Sequence, residues 1–384
     1  MERKHYLDNI RWVTVLLVLF YHVIYFYNNK GVFGGIGGFV DDPMKQPQDI
    51  VMYILYPWFM MLLFLVAGIS SRYALNRQTT KQFIKGRTLK LLVPATIGLF
   101  VFQWMTGYFN TQVAALAQGT DLFANIPNTV PNGIKNIIKY FAYSISGIGP
   151  LWFIQDLWGF SLLIVLVKKL DKNDRFWNWC GKASIPVIIL LGVLVWLGSQ
   201  AMIMSPRPES ADGLYNLYKP LTYFIPFLLG YFVFSHDEVQ DRVETMHLPM
   251  IICAVVACVA LCWTGWGQNN TTPQFLSSWH NCLYAWLMIL AMLGCFKAWF
   301  NQTNRFADYM TKSSFGIYVV HYLVIASLGY MMKMYTSLQP WMMYVILTVA
   351  VMLLSPAIYE IIKRIPFVRW CVLGIKKTGD RRQK

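Results

Sequence analysis

Ten stretches of the chain carry few charges and run for 17 to 21 residues each: roughly 11–27, 50–70, 91–109, 148–167, 184–204, 217–235, 248–266, 280–300, 314–334 and 342–362. At about 1.5 Å per residue, a helix of that length crosses the hydrocarbon core of a bilayer. A helix is also the only open-chain element that satisfies its own backbone there. The pattern predicts an all-α integral membrane protein, a bundle of about ten transmembrane helices. It reads as a single domain over residues 1–384, with a basic cytoplasmic tail at 371–384. Internal Pro57, Pro186, Pro226 and Pro356 predict kinks.

The polar segments between the runs are short. The longest, about 110–147, is rich in Asn, Thr, Pro and Gly, and an amphipathic helix is expected near 134–144. The segment 28–49 carries GVFGGIGG followed by Asp41, Asp42 and Asp49. No loop is long enough to be a separate catalytic domain. The first run follows Arg3, Lys4 and Arg11, as a signal peptide would. It is rich in Tyr and Phe, however, and no small-x-small cleavage site closes it, so it reads as a retained span.

Lys and Arg set the orientation. With a cytoplasmic N-terminus and ten spans, 26 of the 33 basic residues fall in cytoplasmic segments and 7 in outer ones. An odd number of spans would reverse the sign for part of the loops, so both termini are placed in the cytoplasm. Composition agrees, with 56% hydrophobic and only 13% charged residues, against about a quarter charged in soluble domains. The net charge of +15 is scattered between apolar runs. That distribution implies contact with membrane lipids and argues against a nucleic-acid partner. Cys180, Cys253, Cys258, Cys262, Cys282, Cys295 and Cys371 lie in or beside apolar runs without metal-ligand spacing. They read as small core residues, and no metal site is expected.

Ionisable side chains inside a span are costly and therefore functional candidates. They are His22, Asp156 and His321, with Arg11 and Arg72 at cytoplasmic ends. Arg11 and His22 are eleven residues apart, about three turns, on one helical face, with His22 roughly 16 Å deeper. His321, in SSFGIYVVHYLV, lies at a similar depth. The two histidines point to a shared polar site; two unrelated helix contacts are the plain alternative. The segment SRYALNRQTTKQFIKGRTLK holds Arg72, Arg77, Lys81, Lys85, Arg87 and Lys90. Lipid contact explains some of these, and a site for a polyanionic cytoplasmic ligand explains others. Arg87 and Lys90 stand at i, i+3 and face one way on a helix. GPLWFIQDLW opens the fourth run, with Trp152 and Trp158 at belt positions, Phe153 beside them, and Asp156 about 9 Å from the outer edge.

Some chemistries are disfavoured. There is no G-x-S-x-G elbow, H-E-x-x-H, G-x-x-x-x-G-K-[ST] or dinucleotide fingerprint. What remains is histidine general-base work with a cytoplasmic phosphate-bearing donor.

Seven segments, in order, resemble the acyltransferase-3 family of bacterial inner-membrane acyltransferases: HYLDNIRWVTVLLVLFYH, FLVAGISSRYAL, FIKGRTLKLLVPA, GPLWFIQDLW, YFIPFLLGYFVF, SSFGIYVVHYLV and YEIIKRIPFVRW. Within the family they look most like glucan succinyltransferases. The resemblance implies ten core helices and O-acyl transfer from cytoplasmic acyl-CoA, acetyl-CoA or succinyl-CoA, to a hydroxyl of an extracytoplasmic or lipid-linked glycan. The acyl-CoA is a co-substrate, with no permanently bound cofactor. The family's Arg-x10-His positions fall on Arg11 and His22, making His22 the essential histidine. Its Arg-x-x-Arg motif falls on Arg87 and Lys90, where lysine replaces the second arginine and weakens a bidentate phosphate contact. The Ser-Gly that ends span two in the family reads Ala67-Gly68, and no hydrolase-like domain follows the spans.

The resulting expectation assigns catalysis to His22, Arg11, His321 and Asp156. Donor phosphates fall to Arg72, Lys85, Arg87 and Lys90, and the acceptor side to Trp152 and Phe153. A direct histidine base and an acyl-histidine intermediate both fit. The absence of a further cation near mid-membrane leans the acyl group toward acetyl. The rival class is a glycan or lipid transporter with a polar midplane site, which need not consume acyl-CoA. A scaffold for other envelope enzymes is weaker. A homo-oligomer is left open.

Overall fold

The computed structural model describes residues 3–27, 39–40, 42, 44–119, 121, 123–204 and 215–375. The Gly-rich stretch with Asp41, and the basic tail from 376 on, lie outside the described residues. The helices are α1 (His5–Tyr27), α2 (Phe59–Arg77), α3 (Thr80–Arg87), α4 (Val93–Gly98), α5 (Trp104–Gln118), α6 (Asn132–Ser146), α7 (Leu151–Leu170), α8 (Arg175–Cys180) and α9 (Ile185–Leu190). They continue with α10 (Gly192–Gln200), α11 (Pro220–Phe232), α12 (Asp237–Thr245), α13 (His247–Gly265), α14 (Trp279–Trp299), α15 (Arg305–Tyr335), α16 (Pro340–Arg364) and α17 (Pro366–Leu373). No strand occurs among the described residues. Among the described residues eight helices are long and apolar enough to cross a membrane, and two bent pairs raise the number to ten if each is one span.

Two bends are sharp, and a break at Pro57, where a proline kink is expected, is present as well. The chain turns by 98° between α8 and the α9–α10 segment, and by 108° between α11 and α12. Pro186 sits in the first turn of α9 and starts it, because proline's missing N–H costs nothing there. Pro57 falls in the turn between Ile50–Leu55 and α2, while Pro226 and Pro356 lie inside continuous helices. The ninth run begins at Arg305, nine residues before its apolar core. Asn304 accepts the Ala307 N–H at 2.8 Å and caps a polar overhang. The expected amphipathic helix is α6, which exposes Ile134, Ile137, Ile138, Phe141 and Ile145 along one side.

The chain divides into two compact units. One comprises the segment up to Leu17, Ile50–Gly86 and Asp156–Lys312; the other comprises Val18–Asp49, Arg87–Gln155 and the segment from Ser313. In the first unit α2 and α11 cross backbone to backbone. A Cβ on Gly68 would lie 2.0 Å from the Phe227 carbonyl oxygen, and one on Gly230 would lie 2.0 Å from that of Leu65. Small residues at such a crossing are how membrane helices gain contact without a hydrophobic drive. Tyr223 stacks on Phe64 (5.0 Å) and seals one side. α13 packs on α14, buries Met250, Ala254, Leu261 and Gly265, and leaves Ile252, Val255, Val259 and Trp263 exposed, as a lipid-facing helix does. Its Cys253 is exposed too, whereas Cys180, Cys282, Cys295 and Cys371 are buried, so the reading of the cysteines as core residues holds for only part of the set.

In the second unit α5 and α6 meet at Gly107, whose added Cβ would stand 1.7 Å from the Tyr143 carbonyl. α17 packs on α4 and buries Cys371, Val372 and Leu373, so these residues belong to a packed helix and not to a tail. Two turns of this unit, Thr88–Leu92 and Leu99–Gln103, are π-helical. Pro94 accounts for the first. Its ring crowds the turn ahead and offers it no N–H, and the Val93 N–H reaches back five residues to the Thr88 carbonyl.

Gly68→Leu or Gly230→Leu forces the α2–α11 crossing apart. The expected outcome is a loss of about 3 kcal/mol or more of stability, read as a fall in melting temperature of the detergent-solubilised protein. Gly133→Leu, at a glycine with open space around it, should melt as wild type does.

Candidate active site

The second unit brings His22 and His321 together. His22 Nδ1 lies 2.9 Å from His321 Nε2, with ring centroids 5.0 Å apart. Both are buried. His321 Nδ1 lies 2.5 Å from the carbonyl of Tyr318, one turn earlier on α15. A carbonyl only accepts, so the His321 proton sits on Nδ1. In a neutral pair, His321 Nε2 then accepts the Nδ1–H of His22, which leaves the lone pair of His22 on Nε2. No described residue hydrogen-bonds that nitrogen. The backbone carbonyl thereby selects the tautomer of a side chain on another helix.

Aromatic side chains enclose the pair. Tyr322 meets His22 edge-on at 4.7 Å, and Tyr21 and Tyr25 meet it at 5.2 and 6.4 Å. The turn before α7 closes against the same two turns of α15. Tyr318 donates its hydroxyl proton to the Pro150 carbonyl (2.6 Å). Phe153 stands edge-on to Tyr318 (5.8 Å), with Trp152 beside it at 6.3 Å. Gly149 adopts φ +36° with Tyr322 carbons 3.1 and 3.3 Å from where a Cβ would be, so conformation and space both require glycine. From the other side Gln103, at the end of the second π turn, donates to the Val319 carbonyl (2.8 Å) and accepts from Thr106. Single π turns inside helices occur frequently at functional sites. Tyr318, Tyr322, Gln103 and Gly149 were not singled out in the sequence. Tyr318 and Tyr322 lie in the motif that carries His321 and Gly149 opens GPLWFIQDLW, whereas no sequence signal points to Gln103.

The first unit holds Arg11, Arg72, Lys85 and Asp156. Arg11 pairs with Asp8 at 2.6 Å, the i, i+3 contact that the sequence allows, and also donates to Ser70 Oγ. Arg72 departs from expectation. Its side chain is 3% exposed and both terminal nitrogens are held by Asp174, at 2.8 and 2.9 Å. Its guanidinium lies 4.0 Å over the Trp177 ring, whose other neighbour is His236 at 3.9 Å. A guanidinium held this way is not presented to a phosphate. It fixes the elbow after α7, where Asn173 and Asp174 both take left-handed backbone (φ 59° and 53°). Asp156 has one carboxylate oxygen buried without a hydrogen-bond partner, and its charged neighbour is Lys219. Lys219, which the charge pattern assigns to an outer loop, is buried at the start of α11. Lys219 is thus a buried cation at a helix start, beside Asp156.

Lys85 is exposed on α3, Arg87 ends that helix and Lys90 lies in the first π turn, exposed, 5.8 Å from the Phe315 ring. The i, i+3 alignment expected of Arg87 and Lys90 assumed α-helical pitch, which the π turn replaces. Close approach also shapes this point: Gly374 takes φ +62° with the Lys90 Cα 2.8 Å from where its Cβ would be.

Asp174→Asn leaves the Arg72 charge buried and uncompensated. The expected loss is about 3 kcal/mol, the lower end for a broken buried pair, because Asp174 is 39% exposed. Thermal melts check it. Unchanged stability would return Arg72 to the set of ligand-binding candidates.

The family model for acyltransferase-3, described as an acyltransferase domain, matches residues 4–360. No curated protein and no solved structure matches the chain. A match over nearly the whole length, on a multi-pass helical bundle, places the chain in the acyltransferase-3 family of membrane acyltransferases.

Proposed function

We propose that this protein transfers an acetyl or succinyl group from cytoplasmic acyl-CoA to a hydroxyl of an extracytoplasmic or lipid-linked glycan, with His22 as general base. The carrying observation is the hydrogen-bonded line from the Tyr318 carbonyl through His321 to His22 Nδ1. It presents an unprotonated Nε2. The acceptor hydroxyl gives its proton to that nitrogen, and its oxygen attacks the thioester carbonyl. The C–S bond breaks, and the proton returns from His22 to the leaving CoA sulfur. His321 is a positioning residue, setting tautomer and ring orientation. Trp152 and Phe153, packed against Tyr318, shape the acceptor side. Lys85, Arg87 and Lys90 remain the donor-phosphate candidates. Arg72 leaves that set for the reason given above. Arg11 and Asp156 keep supporting roles, Arg11 toward the donor and Asp156 toward the acceptor. The reading needs no metal and places the protein in a bacterial inner membrane.

The test is release of free CoA by purified protein in liposomes, with acetyl-CoA and succinyl-CoA offered separately together with an oligosaccharide acceptor. His22→Ala should lower the rate by about 10²–10⁴-fold, the usual worth of a positioned general base. His321→Ala should lower kcat by at least roughly tenfold with KM for acyl-CoA unchanged, since the donor's phosphates do not bind at His321. A His22→Ala protein that melts as wild type does and keeps its rate overturns the assignment. Ping-pong kinetics would replace the direct transfer with an acyl-histidine on the same Nε2.

A further inference from the structure

The first unit contains a groove of about 1040 Å³ that the acyl-transfer reading does not use. The end of α7 supplies Val167 and Leu170 to its wall, α9 and α10 supply Val187 and Leu194, and α11 supplies Ile225 and Leu228. These walls belong to span segments, and no side chain on them offers a hydrogen bond. A glycan or a nucleotide would find nothing to replace its water there.

The mouth of the groove is different. α8 lies across it, turned 98° from the α9–α10 axis, and brings Phe176 and Trp179, stacked at 5.7 Å and more than half exposed. Exposed aromatics at the end of a span mark the headgroup level. Around them stand Lys172, Arg175 and Lys182, all exposed. The one acid on the lining, Asp171, accepts the backbone N–H groups of Phe176 (2.8 Å) and Trp177 (3.0 Å) and caps α8, so three cations stand against a single carboxylate there. The Arg72–Asp174 pair holds this elbow in place. Lys172, Arg175 and Lys182 belong to the segment 168–182, which the distribution of Lys and Arg assigns to the cytoplasmic side.

We propose that this groove binds one anionic glycerophospholipid from that leaflet, its phosphate at Lys172, Arg175 and Lys182 and its acyl chains along the walls of α7, α9–α10 and α11. Charge complementarity selects the headgroup. A guanidinium and two ammonium groups around one phosphate give charge-assisted hydrogen bonds that a zwitterionic headgroup offsets with its own cation. The apolar depth selects a lipid over a soluble phosphate. The site is independent of His22, so its failure leaves the acyltransferase reading untouched.

The full-length protein in nanodiscs of equal phosphatidylglycerol and phosphatidylcholine tests it, by native mass spectrometry of lipid adducts after release. The expected result is one retained phosphatidylglycerol, favoured by roughly tenfold or more over phosphatidylcholine. In the Lys172→Ala/Arg175→Ala/Lys182→Ala variant the preference should fall below about twofold. A second variant, Leu194→Trp/Leu228→Trp, narrows the groove with the cations intact and should lose the adduct. Equal retention of both lipids by the wild type, or an undiminished preference in the triple variant, overturns the proposal. So does displacement of phosphatidylglycerol by an equal amount of a polyprenyl phosphate, which would assign the groove to a lipid-linked substrate. If the triple variant does not fold, the tryptophan variant decides: an adduct retained there also overturns it.

Discussion

A histidine in hydrocarbon has no water to bond, so both ring nitrogens must be satisfied within the protein or kept for a substrate. The segment from Tyr318 to Tyr322 meets that constraint for two histidines at once. The Tyr318 carbonyl fixes the proton of His321, and His321 fixes the proton of His22. Much of the surrounding packing serves to hold these two turns of α15 in register. The Tyr318 hydroxyl is tied to Pro150, Tyr322 lies against Gly149, and Gln103 bonds the Val319 carbonyl. A rotation of α15 by one residue would break all of these contacts together with the histidine bond. That shared dependence explains why the turn before α7 needs a glycine with positive φ. It also explains why the α4–α5 segment widens into a π turn where Gln103 sits.

The bundle was legible in the sequence because a bilayer leaves a chain so few options. An apolar run of the right length must be a helix, and the basic residues report which way it points. The histidine pair was legible for the same reason, since two lone histidines at similar depth in hydrocarbon each need a partner. What could not be read was pairing across long sequence separation. Arg72 looks like one of six cations in a basic loop. Its partner Asp174 is 102 residues away, at a left-handed position that no local pattern announces. Lys219 looks like a loop lysine because the residues before it are polar, yet it is buried at the start of α11 next to Asp156. The π turns were invisible because hydrophobic periodicity does not distinguish one widened turn from a boundary error. Pro94 was the available hint.

The line of hydrogen bonds also limits what the proposed reaction can do with its proton. A relay that ended at a carboxylate or at water could carry the proton of His22 away once the acceptor hydroxyl had been deprotonated. Here the line ends at a backbone carbonyl, which accepts a hydrogen bond and cannot take up the proton. In the proposed transfer, the proton gained by Nε2 would stay on the two rings and be available to the departing CoA sulfur, so one histidine would serve as base in the first half and as acid in the second. The same geometry answers which nitrogen would carry the acyl group in a covalent mechanism. Nδ1 of His22 is engaged by His321, so base and nucleophile are the same atom, and the order of substrate binding, not the identity of the residue, separates the two routes.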